Sequence, residues 1–123
     1  MMKILVLEDD PQRQRSFKNW AYQGHDLTIV STVGEAIKEL EQSDFDVVCL
    51  DHDLGGQTYV QSMGKEETGY LVAVWLANNP DRQPRNIILH SLNPAGRENM
   101  KGVLPEAKII PFVWNHTWER KDD

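Results

Sequence analysis

Short apolar runs rich in β-branched residues alternate along this chain with segments whose apolar positions recur at helical spacing. That alternation builds βαβ crossovers and a parallel sheet. Five strands are predicted, at Lys3–Leu7, about Asp26–Val30, Val47–Leu50, Asn86–Leu89 and Lys108–Ile110. Asp10 is a natural N-cap and Pro11 a natural first residue for a helix that turns Phe17, Trp20 and Ala21 to the core and stops at Gly24. A second helix opens with Thr32 and Glu35 at capping-box spacing, ahead of the apolar face Ala36, Ile37 and Leu40. A third runs from about Thr68 to Asn79 and is closed by Pro80, and a fourth spans about Pro94 to Leu104. Phe112 to Asp123 leave room for one short helix or an extended tail.

The connection after the third strand is out of proportion. From Asp53 to about Glu67 the chain is polar and unusually long for such a link, and loops of that kind inside compact domains tend to be functional. It is expected to act as a binding loop. The remainder suits one domain of 123 residues, 40% of them apolar, spanning 1–123 with no output domain. Cys49, the single cysteine, has no partner for a disulfide or a zinc knuckle and is expected to pack in its strand, which agrees with a reducing compartment. With no apolar stretch of spanning length and no signal-peptide pattern at the start, the expected location is cytoplasmic, without a membrane partner. The net charge of −6 argues against non-specific duplex DNA binding. A small phosphorylated ligand stays open, because a metal ion can supply the positive charge.

In an open parallel sheet the loops following the strands converge at the carboxyl edge, where ligands bind. Those loops carry Glu8, Asp9 and Asp10, then Asp51, His52 and Asp53, then His90, Ser91 and Asn93. Five carboxylates at one edge repel one another unless a cation neutralises them, and hard oxygen ligands suit Mg²⁺ or Mn²⁺. Asp10 is read first as a helix cap. Glu8 is either a solvated rim residue or a water-mediated metal contact. Asp9 and Asp51 follow buried strands directly, where an unpartnered charge is costly, and are the stronger candidates for metal or phosphate chemistry. Asp53 adds a carboxylate or only its backbone carbonyl. His52 and His90 titrate near neutrality and suit general acid and base roles; each alone reads better as a hydrogen-bonded structural histidine, and their shared edge is what points to function. Ser91 and Asn93 matter by position only. Arg97, near the start of the fourth helix, is either a bidentate phosphate contact or part of a solvated face. The four tryptophans are read as core and rim.

The segment Ile4 to Arg15, ILVLEDDPQRQR, resembles the first strand and acidic pocket of two-component receiver domains. In that resemblance Glu8 and Asp9 match the acid pair, Asp51 the phosphoacceptor, Ser91 the hydroxyl residue that contacts the phosphoryl group, and Pro111-Phe112 the Pro-Phe after the fifth strand. It implies an α/β, flavodoxin-like fold: a doubly wound five-stranded parallel sheet with helices on both faces and a shortened fifth helix. The chain departs from the receiver pattern where a lysine precedes that Pro-Phe, since Ile110 stands there and Lys108 lies two residues earlier. The strings LDHDLGG (Leu50–Gly56), TGYLVAVWL (Thr68–Leu76) and HSLNPAGRENM (His90–Met100) are similar to a narrower branch, the cyclic-phosphate-processing receiver-like domains.

Membership in that branch implies enzymatic or ligand-binding work in RNA end processing, nucleotide signalling or defence conflicts, phage-encoded members included. The leading expectation is a metal-dependent phosphoesterase acting on a cyclic nucleotide or an RNA end with a 2',3'-cyclic phosphate. Glu8, Asp9, Asp51 and Asp53 would hold Mg²⁺ or Mn²⁺, Asp51, His52 and His90 would act catalytically, and Ser91, Asn93 and Arg97 would hold the phosphate. Asp51 as a nucleophile is a variant of this reading. The competing expectations are a module that sequesters a phosphorylated ligand, and a phosphoacceptor switch.

Overall fold

The computed structural model describes residues 2–21, 24–54 and 68–113. Its elements are β1 (Lys3–Leu7), α1 (Pro11–Ala21), β2 (Asp26–Val30), α2 (Val33–Gln42), β3 (Val47–Leu50), α3 (Gly69–Asn78), β4 (Asn86–Leu89), α4 (Pro94–Val103) and β5 (Lys108–Ile109), with one 3-10 turn at Pro80–Arg82. The binding-loop expectation for 53–67 falls, from residue 55 on, outside the described residues, as does the expected tail from residue 114.

Local chemistry accounts for the boundaries. Asp10 Oδ2 accepts the Arg13 N–H at 2.9 Å, the N-cap bond the sequence predicts. Gly24 takes a φ of 97°, a left-handed conformation open to glycine, between α1 and β2. Thr32 Oγ1 accepts the Glu35 N–H at 3.2 Å, while the Glu35 carboxylate reaches back to the Ser31 N–H, also at 3.2 Å. The box therefore closes one residue earlier than its usual form. The far end of α2 is stopped by a device the sequence did not announce. The Arg82 guanidinium donates to Leu40 O at 2.9 Å and Ser43 O at 2.7 Å, supplying charged donors to carbonyls that helix geometry leaves unpaired.

All strand pairs are parallel, in the order β2-β1-β3-β4-β5. The chain thus leaves β1 toward one edge and returns to build toward the other. Crossovers of a single hand then place α1 on one face of the sheet and α2, α3 and α4 on the opposite face. Side-chain alternation divides the core accordingly. Leu5, Leu7, Val48, Leu50 and Leu89 pack with Leu40, Leu76 and Met100 from the three-helix side. Ile4, Val6, Val47, Cys49 and Ile88 pack with Phe17 from α1. Burying a side chain such as Phe17 contributes roughly 1.5–3 kcal/mol. Burial pushes the Cys49 thiol pKa well up, in keeping with the strand-packing role expected of it. Among the described residues no helix is long and apolar enough to cross a membrane.

Candidate functional site

Strand register assembles the site. Leu7 pairs with Leu50, and Leu50 with Leu89, so the residues that follow, Glu8, Asp51 and His90, form one row just past the carboxyl ends of β1, β3 and β4. Backbone bonds carry the row on, from Asp51 N–H to Leu7 O at 3.2 Å and from His90 N–H to Leu50 O at 3.1 Å. The three leucines face the α2–α4 side, and alternation turns the next row to the α1 side. All three polar side chains are buried there, and one ligand atom from each lies within 4.8 Å of the others. The row sits at the reversal in strand order between β1 and β3, the place where open α/β sheets hold ligands.

Helix α1 supplies the cation. Its cap fixes Arg13 in the first turn, and helical side chains lean toward the N-terminus, which here faces the strand ends. Arg13 Nε donates to Glu8 Oε1 at 2.8 Å and Nη2 to Oε2 at 3.2 Å, a two-pronged grip, and Nη2 stands 3.6 Å from Asp51 Oδ2. The Asp10 N–H adds a bond to Glu8 Oε2 at 3.1 Å, and His90 Nε2 lies 3.0 Å from Oε1. Glu8 is therefore no solvated rim residue. It is fully buried and saturated with donors.

These contacts pull the ionisable groups apart. Burial works to raise the Glu8 pKa, but the bonds from His90, Arg13 and the Asp10 backbone outweigh it and hold it at about 2. Asp51 moves the other way: burial first, and the nearby Glu8 charge second, push it to about 8, only partly offset by Arg13 and by the His52 N–H on Oδ1 at 2.8 Å. Burial lowers the His90 pKa, so the ring is neutral and its Nε2–H donates to ionised Glu8. Phe17 packs edge-on against that ring, with centroids 4.9 Å apart. Among the described residues two buried atoms, Asp51 Oδ2 and His90 Nδ1, have no hydrogen-bond partner.

The same alternation sends His52 to the other face. Its ring lies against α4, where a Cβ at Gly96 would stand 2.3 Å from the ring Cγ. His52 Nδ1 is 2.8 Å from Asp53 Oδ1, and Asn93 Nδ2 donates to that oxygen at 3.1 Å. Asn93 also caps α4 by accepting the Gly96 N–H at 3.1 Å, and Ser91 Oγ accepts the Asn93 N–H at 3.1 Å. The predicted residues thus divide. Glu8, Asp51 and His90 meet; His52, Asp53, Ser91 and Asn93 form a separate network that fixes the start of α4. Asp9 is half-buried and outside the close group, and half-buried Arg97 forms no ion pair among the described residues. Helix α3 closes on the site from below: Gly69 N–H donates to His52 O at 2.9 Å, and a Cβ there would stand 1.7 Å from Asp51 O.

Arg13 is the site residue that sequence reasoning passed over. The signal was available in the helix start, because an N-cap at Asp10 with Pro11 following places residue 13 in the first turn, beside the acid pair.

A search of curated protein sequences finds no match. Solved structures give likenesses across most of the chain. The phosphorylated cyanobacterial phytochrome response regulator RcpA is 17% identical, with 96% of each chain covered and a TM-score of 0.72. The response regulator TrrA from Thermotoga maritima, in complex with Mg²⁺ and BeF, is 20% identical, with 89% of this chain and 86% of that one covered and a TM-score of 0.68. The Mn²⁺-bound response regulator Rcp1 is 16% identical over 89% of this chain and 80% of its own, with a TM-score of 0.68. At these identities the likeness establishes the receiver fold: a five-stranded parallel sheet with helices on both faces. The family model described as the cyclic-phosphate processing receiver domain matches residues 3–106. With strand order, acidic row and sequence match in agreement, the chain belongs to the cyclic-phosphate processing receiver domain family.

Proposed function

We propose that Glu8, Asp51 and His90 hold a divalent cation, and through it the phosphoryl group of a cyclic nucleotide or a cyclic-phosphate RNA end, which the protein hydrolyses. One observation carries the reading: among the described residues Asp51 Oδ2 is buried without a hydrogen-bond partner, inside a group of two carboxylates and an imidazole that approach within 4.8 Å. An orphaned buried carboxylate oxygen is costly unless a cation meets it. The donor set suits that cation, and with an imidazole present it favours Mn²⁺ over Mg²⁺. The family's description and the Mg²⁺- and Mn²⁺-bound receiver neighbours support the same reading.

Such a cation would polarise a phosphoryl oxygen and lower the pKa of a bound water. The protein's own part is positional. His90 is kept neutral by burial and therefore retains a lone pair for coordination. The Glu8 carboxylate is held ionised. Asp51, whose pKa burial raises, would have to be deprotonated to hold the cation. His52, clamped by Asp53 and buried against α4, acts as a positioning residue for the β3 end rather than as the base.

A second reading, sequestration without turnover, is favoured by that same placement, since among the described residues it leaves the metal group without a further histidine beside it. Incubation with Mn²⁺ or Mg²⁺ and a panel of 2',3'-cyclic, 3',5'-cyclic and cyclic-oligonucleotide phosphates, resolved by chromatography, separates the two. Turnover lost in Asp51→Asn and His90→Ala supports hydrolysis. A compound retained but recovered intact supports sequestration, and neither turnover nor retention removes both.

A further inference from the structure

Resting on that reading of the site, we propose that the Arg13 guanidinium is a built-in counter-ion. It occupies the ground between Glu8 and Asp51 that a divalent cation takes, and once displaced it turns to the phosphoryl oxygens of the ligand.

The distances make the two cations mutually exclusive. Arg13 Nη2 is 3.2 Å from Glu8 Oε2 and 3.6 Å from Asp51 Oδ2, while Nε is 2.8 Å from Glu8 Oε1. A metal ion bonded to both carboxylates at about 2.0–2.1 Å would press against those nitrogens with like charge. One of the two must leave.

Which one moves follows from where each side chain is rooted. Glu8 and Asp51 continue β1 and β3 and are buried, with Glu8 further tied to the Asp10 N–H and to His90. Arg13 reaches in from the first turn of α1 on a flexible stem, and its side chain is 31% exposed against 0% for Glu8. The arginine can swing toward solvent; the carboxylates cannot.

Charge decides the direction of exchange. Once Asp51 is deprotonated, one guanidinium faces two carboxylates, and its weaker contact, at 3.6 Å, leaves Asp51 Oδ2 without a hydrogen bond among the described residues. A divalent ion matches the pair better. The released guanidinium remains tethered beside the ion, and its planar fork suits the oxygens of a phosphate.

Mn²⁺ titration by calorimetry tests this with metal alone, on wild type, Arg13→Gln and Arg13→Lys, after circular dichroism shows that each variant is folded. The result expected is Mn²⁺ bound on the order of tenfold tighter by Arg13→Gln, with Arg13→Lys between the two. Inorganic phosphate, titrated into the Mn²⁺-saturated proteins, should bind on the order of tenfold more weakly to Arg13→Gln than to wild type. Opposite signs for the two ligands are the signature, because a merely structural arginine would weaken both. Equal Mn²⁺ affinities, or loss of both ligands in a folded Arg13→Gln, would overturn the proposal while leaving the metal site standing. Absence of Mn²⁺ binding in wild type and variants alike would remove the metal reading and the proposal with it.

Discussion

His90 Nε2 and Glu8 Oε1 meet at 3.0 Å across the end of β3, joining residues 82 positions apart that follow two strands, β4 and β1, not paired with each other. The bond depends on a neutral ring donating to an ionised carboxylate. Because burial lowers the His90 pKa, ¹⁵N NMR of the metal-free protein should show a neutral Nε2–H tautomer at neutral pH and a ring that takes up charge only below the ordinary 6.5. A ring that titrates near that value would contradict this assignment.

Removing Glu8 leaves the buried His90 N–H without its acceptor and the Arg13 guanidinium with Asp51, at 3.6 Å, and solvent. A buried donor left unsatisfied costs about 1–3 kcal/mol, and because Arg13 can turn to solvent Glu8→Ala should fall in that range in denaturant unfolding. Glu8→Gln keeps the shape and one acceptor oxygen, and should cost less.

Asp51 gives stability a pH slope. Its pKa is about 8 in the folded protein against 3.8 ordinarily, so the folded state binds a proton that the unfolded state releases. That stabilisation is complete below 3.8 and is lost as pH rises through about 8. Glu8 acts oppositely, with a contribution present above 4.5 and lost as pH falls through about 2. Burial lowers the His90 pKa from 6.5 and so opposes Asp51 below that value, which leaves Asp51 to govern above it: the metal-free melting temperature should fall from about pH 6.5 to about pH 8. Asp51→Asn should flatten the fall; parallel profiles for variant and wild type would count against the raised pKa.

Mn²⁺ should reverse that loss. At a hundred times its dissociation constant a ligand adds about 2.7 kcal/mol to folding stability, and near pH 8 the proton no longer competes for Asp51. Thermal melts with and without Mn²⁺ should diverge for wild type and coincide for Asp51→Asn.

The close approaches at the site forbid a Cβ. Gly96→Ala should cost about 1–3 kcal/mol, because the His52 ring it meets is pinned by Asp53 and has little room to yield. Gly69→Ala should cost more, since the obstacle is the Asp51 backbone carbonyl. Gly34, exposed in α2 with nothing near its Cβ position, is the control: Gly34→Ala should stabilise by about 0.4–1 kcal/mol in the same unfolding experiment.

The strands and helix starts were legible because each rests on neighbours in sequence: apolar alternation for β1 to β4, Asp10 and Pro11 for α1, Thr32 and Glu35 for α2. The membership of the polar row was only half legible. Glu8, Asp51 and His90 each directly follow a strand, but that they share one face while His52 takes the other follows from register between strands, which no single segment records. Two arginines escaped for a related reason. Arg13 gains its meaning from β1 and β3, and Arg82 from carbonyls about forty positions away, at separations of 42 and 39.

The Glu8–Arg13 pair spans only five positions, whereas the contacts of Glu8 with the rest of the row span most of the chain. During synthesis, the first strand and its helix emerge together, and the carboxylate destined for the deepest position has its guanidinium within reach before the third or fourth strand exists. The sheet then closes over a pair already neutralised, and the stage at which an acidic interior would most oppose collapse is passed while that group is still near water.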